Sequence, residues 1–323
     1  MEQKREGCCT PIREGADVRL SAVSTVFLPA AAGSANDGMV ALPGGRFLMG
    51  TEYPYGFPND GEGPVRPVRL SAFLIDAMPV TNSQFTEFVA ATGYQTEAEQ
   101  HGWSFVFWSQ LPELHFERLV EDTLPGAPWW CKVHGARWNN PEGPGSNLLS
   151  RADHPVVHVS HNDARAYAQW SGKQLPTEAQ WEYAARGGHE QALYPWGNEL
   201  TPGGKHLCNI WQGAFPVSNS GEDGFTGASS VQAFPPNDFG LYSATGNVWE
   251  WAADWFSVDH ACDEKVDPLG SSSGSNRVLK GGSFLCHASY CNRYRVAART
   301  QNTPDSATSN IGFRCVKPLE QGA

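Results

Sequence analysis

Residues 279–316 read LKGGSFLCHASYCNRYRVAARTQNTPDSATSNIGFRCV. Cys286 and Cys291 stand there with C-x4-C spacing. Ser283 precedes them, His287 lies between them, and Arg293, Arg295 and Arg299 follow. The Gly281-Gly282 pair lets the chain turn or lie close to a neighbour, because glycine carries no Cβ. Soft thiolates select Cu(I), zinc or an iron–sulfur centre. Tetrahedral zinc takes four ligands, and CxxC spacing is its familiar supplier. Cys315 and His287 could complete such a set, yet nothing in the spacing asks for it. Two thiolates alone suit a low-coordinate, thiophilic ion, which favours Cu(I) over zinc. Two readings without a metal stay open. The loop between the cysteines is closable as a disulfide where bond geometry permits, and the arginines and His287 can lower a thiol pKa. Alternatively, the cysteines are small buried hydrophobes.

Composition bounds the rest. A chain of 323 residues is long enough for one large domain or two ordinary ones. Charged residues are only 18%, whereas Gly 34, Pro 23 and Trp 12 are generous. Many turns pinned by large aromatic side chains follow, with modest regular structure. The net charge of -11 argues against a general nucleic-acid surface. Eight cysteines, scattered apart from Cys8-Cys9, give no disulfide framework, and a reducing cytoplasm fits. No run approaches the roughly 18 apolar residues of a membrane span. Residues 18–35, VRLSAVSTVFLPAAAGSA, are interrupted by Ser21, Ser24 and Thr25, and follow Glu14 and Asp17. They suit a flexible leader over 1–37 better than a signal peptide. The main domain then runs over 38–318.

Residues 39–49 predict strand, Gly-Gly turn, strand, and residues 65–75 one or two short strands, with Pro67 preferring an edge. Thr81 and Gln84 have the spacing of a capping box for a helix over 81–91, with Phe85, Phe88 and Val89 inward and Gly93 as the stop. Residues 94–149 read as short elements and long loops. Their aromatics, Trp129 and Trp130 among them, either line a peptide groove or pack a large loop onto the core. Val156, Val157 and Val159 predict a strand that enters a helix capped by Ser160, with Asp163 three residues on. His154, His158 and His161 invite a tri-His metal site, but strand and helix positions share a face poorly, so packing or capping roles outweigh it. Thr177 with Gln180 opens the next helix, which Gly187-Gly188 ends. Residues 208–225 gather Asn209, Asn219, Glu222 and Asp223 among glycines. Such hard oxygen donors suit Ca2+, and Asx turns explain them equally. Residues 257–275 are a polar surface excursion, and 277–285 a strand leading to the thiols.

The segment GGSFLCHASYCNRYRVAARTQNTPDSATSNIGFRC resembles the C-terminal hallmark of formylglycine-generating enzymes, in the sulfatase-modifying factor family. The resemblance runs back through AFPPNDFGLYSATGNVWEWAADW, LCNIWQGAFPVSNSGEDGF and LPTEAQWEYAARGG to MVALPGGRFLMGT, and so covers the chain from about Met39 onward. It implies a single α+β domain with a C-type-lectin-like arrangement and low regular secondary structure. It also implies an oxidase that uses O2 to convert the cysteine of a sulfatase Cys-x-Pro-x-Arg segment into Cα-formylglycine. Cys286 and Cys291 would hold Cu(I). Ser283 would contact the oxygen region, with Arg299 and Asn310 in the polar pocket around it and Trp249 near it. His287 would position water or wall the pocket. Arg293 and Arg295 would neutralise acids or orient loops. The same likeness implies structural calcium bound by the side chains of Asn209 and Asp223 with the carbonyls of Ile210 and Phe225. A second calcium set would use Glu250, Gly246 and Val248, with Ser243 where the family commonly has Asn. Some members lack the full site and bind or activate instead; Cys286 together with Cys291 separates this chain from them. A monomer is expected, with a sulfatase polypeptide as partner and neither nucleic acid nor membrane. A metal-free thiol–disulfide enzyme is the rival reading.

Overall fold

Three helices begin where the sequence predicts, for a local reason. Thr81, Ser160 and Thr177 each accept a bond from the backbone N–H three residues on, and Gln84, Asp163 and Gln180 reach back to the cap. These capping boxes satisfy otherwise orphaned donors. They open helices Asn82–Thr92, His161–Trp170 and Glu178–Arg186. Gly93 and Gly187 end two of them in the left-handed conformation that glycine adopts without a steric penalty. The computed structural model describes residues 10–13, 38–113 and 116–319.

Apart from two short helices, Glu97–His101 and Phe116–Leu119, and a few 3-10 turns, the remaining regular structure is strands gathered into small sheets, so the fold is α+β with long loops. Met39–Leu42 and Val316–Pro318 pair antiparallel on either side of Phe73–Asp76, which brings the two ends of the domain together. The sheet beneath the thiol segment runs in the order Arg299–Asn302, Arg277–Lys280, Trp249–Trp255, Ile311–Gly312, with the last pair parallel. Arg66–Leu70 pairs with Gly45–Met49 along its length but meets Lys265–Val266 only at Val68 and Arg69. Pro67, which has no N–H to give, therefore sits where its strand is an edge.

Two expectations are corrected. Val156, Val157 and Val159 form no strand; only Pro155 makes an isolated bridge, to Thr81. His158 breaks the extended run at φ 58, its buried ring held between the Ser104 hydroxyl at 2.8 Å and the Pro141 carbonyl at 2.9 Å. Burial without a carboxylate partner drops the His158 pKa to about 3, so the ring is neutral. Residues 94–149 are more regular than expected, because Ala127–His134 pairs with both Trp103–Phe107 and Val120–Leu124. Most of the leader 1–37 lies outside the described residues, but Thr10–Arg13 is docked. Arg13 donates from its backbone to Ser306 Oγ at 2.8 Å, and Asn302 Nδ2 reaches the Pro11 carbonyl at 3.0 Å.

The main apolar cluster holds Phe85, Phe88, Tyr167, Trp249, Trp251 and Phe313 together with Cys286 and Cys291. Charges are buried beside it. Glu182 lies 3.0 Å from Lys280 and 2.7 Å from Arg186. Burial pushes the Glu182 carboxyl up, but those two cations outweigh it and hold the pKa down to about 2. Arg314 grips Glu250 with two parallel bonds of 2.7 and 2.8 Å, and Trp181 Nε1 donates to the same carboxylate at 2.8 Å. Paired geometry of this kind is what lets a buried charge persist. Among the described residues no helix is long and apolar enough to cross a membrane.

Candidate active site

The thiol segment is folded back on itself by backbone bonds. Gly282 lies at φ 75, where a Cβ would meet the Arg293 carbonyl oxygen at 2.9 Å and Tyr294 Cα at 3.0 Å. Only glycine permits so close an approach. Cys286 N donates to the Ser283 carbonyl at 2.9 Å. The amides of Tyr290, Cys291 and Asn292 all converge on the His287 carbonyl, at 3.0, 2.9 and 3.1 Å. That turn brings Cys291 back to the same apolar cluster as Cys286, and both are fully buried. Tyr294 packs there too. Burial raises its phenol pKa, and Tyr194, Cys286 and Cys291 push it further the same way.

On the polar side, Ser283, Asn310 and Trp249 are linked by hydrogen bonds, and Ser283 reaches Cys286. Ser283 N donates to Cys286 Sγ at 3.3 Å, and Ser283 Oγ accepts from Asn310 Nδ2 at 3.0 Å. Thr308 Oγ1 fixes the Asn310 amide by donating to Oδ1 at 2.6 Å. Trp249 N donates to the Asn310 carbonyl at 2.8 Å, while the buried Trp249 Nε1 has no hydrogen-bond partner among the described residues. A buried donor left unspent in a native protein needs a reason, and a ligand is one.

Two residues take other places. His287 sits half-buried at the rim, its Nδ1 2.8 Å from Ser289 Oγ. Arg299 is spent elsewhere: it pairs with Glu178 at 2.9 Å and donates to the Ser257 carbonyl at 2.7 Å. It lines a separate cavity of about 570 Å³ with Arg66, Asp254 and His260. Arg293 and Arg295 neutralise acids, as expected. Arg293 lies 2.5 Å from Asp60, and Arg295 bonds Glu62 at 2.5 and 2.7 Å. The shared two-residue step of Asp60/Glu62 and Arg293/Arg295 was a sequence signal for this latch, although the partners are more than two hundred positions apart.

Sequence reasoning missed the aromatic wall beside Cys291. Tyr290 and Trp129, both half-buried, meet edge-on at 5.3 Å, and Phe215 stacks on Tyr290 at 4.1 Å. The clustering of aromatics in the sequence pointed toward a groove but not to this partner.

The calcium sets differ in fit. Asp223 accepts from the amides of Ile210 and Phe225 at 3.0 and 2.9 Å. Gln212 Nε2 bonds both the Asp223 carboxylate and the Ile210 carbonyl, so two of the expected oxygens already converge on one donor. The second set does not fit: both Glu250 oxygens are taken by Arg314 and Trp181, and Ser243 Oγ donates to the Val231 carbonyl at 2.9 Å. The histidines also stay apart in role. His161 is buried edge-on to Trp251, and among the described residues no three His, Cys, Asp or Glu side chains are grouped to hold a metal.

Comparison with known proteins agrees with this arrangement. A family model described as "Sulfatase-modifying factor enzyme 1-like domain" matches residues 24–319. The formylglycine-generating enzyme of Thermomonospora curvata is 62% identical over 282 residues, covering 86% of this chain and 92% of the relative. That of Bos taurus is 53% identical over 317 residues, covering 96% and 84%. PvdO from Pseudomonas aeruginosa has the same fold, with a TM-score of 0.62 and 25% identity over 87% of this chain and 94% of that one. With both hallmark cysteines buried in one apolar cluster and the likeness covering most of its length, the chain belongs to the sulfatase-modifying factor family of formylglycine-generating enzymes.

Proposed function

We infer that this chain is an oxidoreductase that uses O2 to convert a sulfatase cysteine into Cα-formylglycine. The observation that carries it is that Cys286 and Cys291 are both fully buried in one apolar cluster with Trp249, and that Ser283, held by Asn310, bonds Cys286. The substrate side chain CH2–SH becomes CHO. Its C–S bond and one C–H bond break, and a C=O bond forms. Sulfur leaves as hydrogen sulfide and the second oxygen atom as water, with two electrons and two protons supplied by two external thiols that become a disulfide.

The donor set fits Cu(I), since two buried sulfurs are soft ligands that suit a soft ion. Cys286 and Cys291 would hold it, and it would supply the one-electron chemistry toward O2 that side chains lack. The protein does the rest. Burial excludes water from the sulfurs. The Asn310 amide, fixed by Thr308, holds the Ser283 hydroxyl, so that oxygen is presented in one orientation. The Trp249 Nε1 proton is available to a polar ligand in the same cluster.

The bound segment is read as Cys-x-Pro-x-Arg in extended form, its proline against the half-buried rings of Tyr290 and Trp129. Aromatic faces suit proline, whose ring loses little conformational entropy on binding. The acidic net charge steers an arginine-bearing segment toward the protein. One structural calcium would be held by the side chains of Asn209 and Asp223 with the carbonyls of Ile210 and Phe225; the Asp223 carboxylate and Ile210 carbonyl meeting at Gln212 Nε2 support this.

The test is an aldehyde-trapping mass assay on a Cys-x-Pro-x-Arg peptide, with Cu(I) and O2 each present or withheld. Product that requires both, and falls at least about a thousandfold in Cys286→Ser and Cys291→Ser, supports the reading. Aldehyde formed without copper overturns the metal assignment. Peptide capture with no aldehyde overturns the oxidase.

A further inference from the structure

A hairpin outside the thiol pocket ends in a ring that touches its wall. Gly213–Ala214 and Ser218–Asn219 pair antiparallel, which puts Phe215 in the turn. Its ring stacks on Tyr290 with centroids 4.1 Å apart and planes 20° from parallel. Trp129 meets both rings edge-on, at 5.3 Å from Tyr290 and 5.6 Å from Phe215. On the inner side Phe215 contacts the buried rings of Phe107 and Trp211, at 5.9 and 5.2 Å. Phe215 therefore ties the half-buried pair, Tyr290 and Trp129, to a rigid interior. Tyr290 is covalently next to Cys291, but the turn that seats that sulfur is held by the backbone amides of residues 290–292 on the His287 carbonyl, whereas the Tyr290 ring is set by Phe215 and Trp129.

The hairpin is itself aimed from below. Asp223 accepts from Ile210 N and from Gln212 Nε2 at 3.0 and 2.8 Å. Asn219 Oδ1 accepts from Gly221 N at 3.0 Å, and Ser220 N donates to the Gln212 carbonyl at 2.9 Å. From the side, Trp108 Nε1 donates to the Pro216 carbonyl at 3.0 Å. No contact in this chain of rings involves a reacting atom, so its effect must pass through where Tyr290 lies.

We propose that Phe215 is a positioning residue for the substrate: by stacking on Tyr290 it fixes the aromatic face against which the proline of the bound segment packs. The proposal rests on the docking reading given above, and it separates two kinds of loss. Removing the stack loosens the face and weakens capture of a proline-bearing segment. The turn bearing Cys291 is held by backbone bonds to the His287 carbonyl, and Ser283 by the Asn310 amide; none of these bonds passes through the Phe215 ring, so they are expected to stay.

The experiment compares steady-state kinetics on Cys-x-Pro-x-Arg and Cys-x-Ala-x-Arg peptides, using copper-loaded protein. Peptide affinity of the metal-free protein is read in parallel by fluorescence anisotropy. Phe215→Ala is expected to raise KM and Kd for the proline peptide about tenfold, while kcat stays within about twofold. Phe215→Leu keeps apolar bulk without a flat ring and should raise KM about threefold; Phe215→Tyr should restore it. With the alanine peptide, wild type and variants should converge. Wild type that treats both peptides alike overturns the docking reading and this proposal with it. Wild type that prefers proline, with the preference intact in Phe215→Ala and Phe215→Leu, overturns the proposal alone. If Phe215→Ala fails to fold, Phe215→Leu and Phe215→Tyr decide.

Discussion

The limb over residues 291–299 and the loop over 209–225 approach the same pocket, but they are tied down by bonds of different kinds. The limb is held by full charges in a dry interior. Arg295 and Glu62 are 1% and 4% exposed, and Arg299 pairs with a Glu178 that is equally buried. The loop is held by neutral amides that donate to one carboxylate, Asp223, and one side-chain carbonyl, Asn219. A buried ion pair fails as a unit, since losing one partner strands the other charge. A set of amide bonds gives way one at a time. The seat of Cys291 is thus built for rigidity, whereas the hairpin that backs Tyr290 is built so that its stiffness can be graded.

The sharpest way to break the contrast is to strand a charge. Arg295→Met should leave Glu62 buried and unpaired and cost about 3–5 kcal/mol, read as a large fall in Tm. Adding Glu62→Met should recover much of that loss. If the single and double variants unfold alike, packing and not charge holds the limb. A smaller effect belongs to the loop. Asp223→Asn should cost about 1–2 kcal/mol, with hydrogen exchange quickening at the Ile210 and Phe225 amides and little change at Cys291. Equal quickening at both places would erase the difference between the regions.

The smallest effect is a pH slope. Burial, with Glu178 nearby, raises the Asp254 carboxyl to about 7. The folded protein therefore holds a proton that the unfolded chain has already released. The stability this contributes is complete below the ordinary carboxylate pKa and is lost as pH rises through 7. Asp254→Asn retains an oxygen for the Glu178 amide, which Asp254 now accepts at 2.7 Å. Its Tm relative to wild type should climb between pH 5 and pH 8. A flat difference would mean that Asp254 is ionised when folded. Glu182, held at about 2 by Lys280 and Arg186 against its burial, has the opposite sign and contributes stability that is lost as pH falls from the ordinary carboxylate pKa toward 2.

What could be read in the sequence was local or long-motif. Thr81, Ser160 and Thr177 declare their helices because a capping box needs only residues three apart. The cysteine pair and its neighbours stood out through the family resemblance; Ser283 bonds Cys286, and Asn310 and Trp249 are linked to Ser283 in turn. Arg299 did not, because its partner Glu178 lies at the start of another helix and claims it. The strand expected at Val156–Val159 failed on one backbone angle, that of His158, set by contacts with Ser104 and Pro141. Thr10–Arg13 and the Phe215–Tyr290 stack were illegible for the same reason: their partners lie far along the chain, and no periodicity records them.

The pairing of Met39–Leu42 and Val316–Pro318 on Phe73–Asp76 has a consequence for synthesis. The strand that closes this sheet is made after nearly all the rest of the domain. So are Asn310, which holds Ser283, and Arg314, which neutralises Glu250. A nascent chain whose last strand is still inside the ribosome has a buried glutamate without its cation and a pocket without its amide. The domain therefore reaches its working form only once that last strand has been made and has docked on Phe73–Asp76.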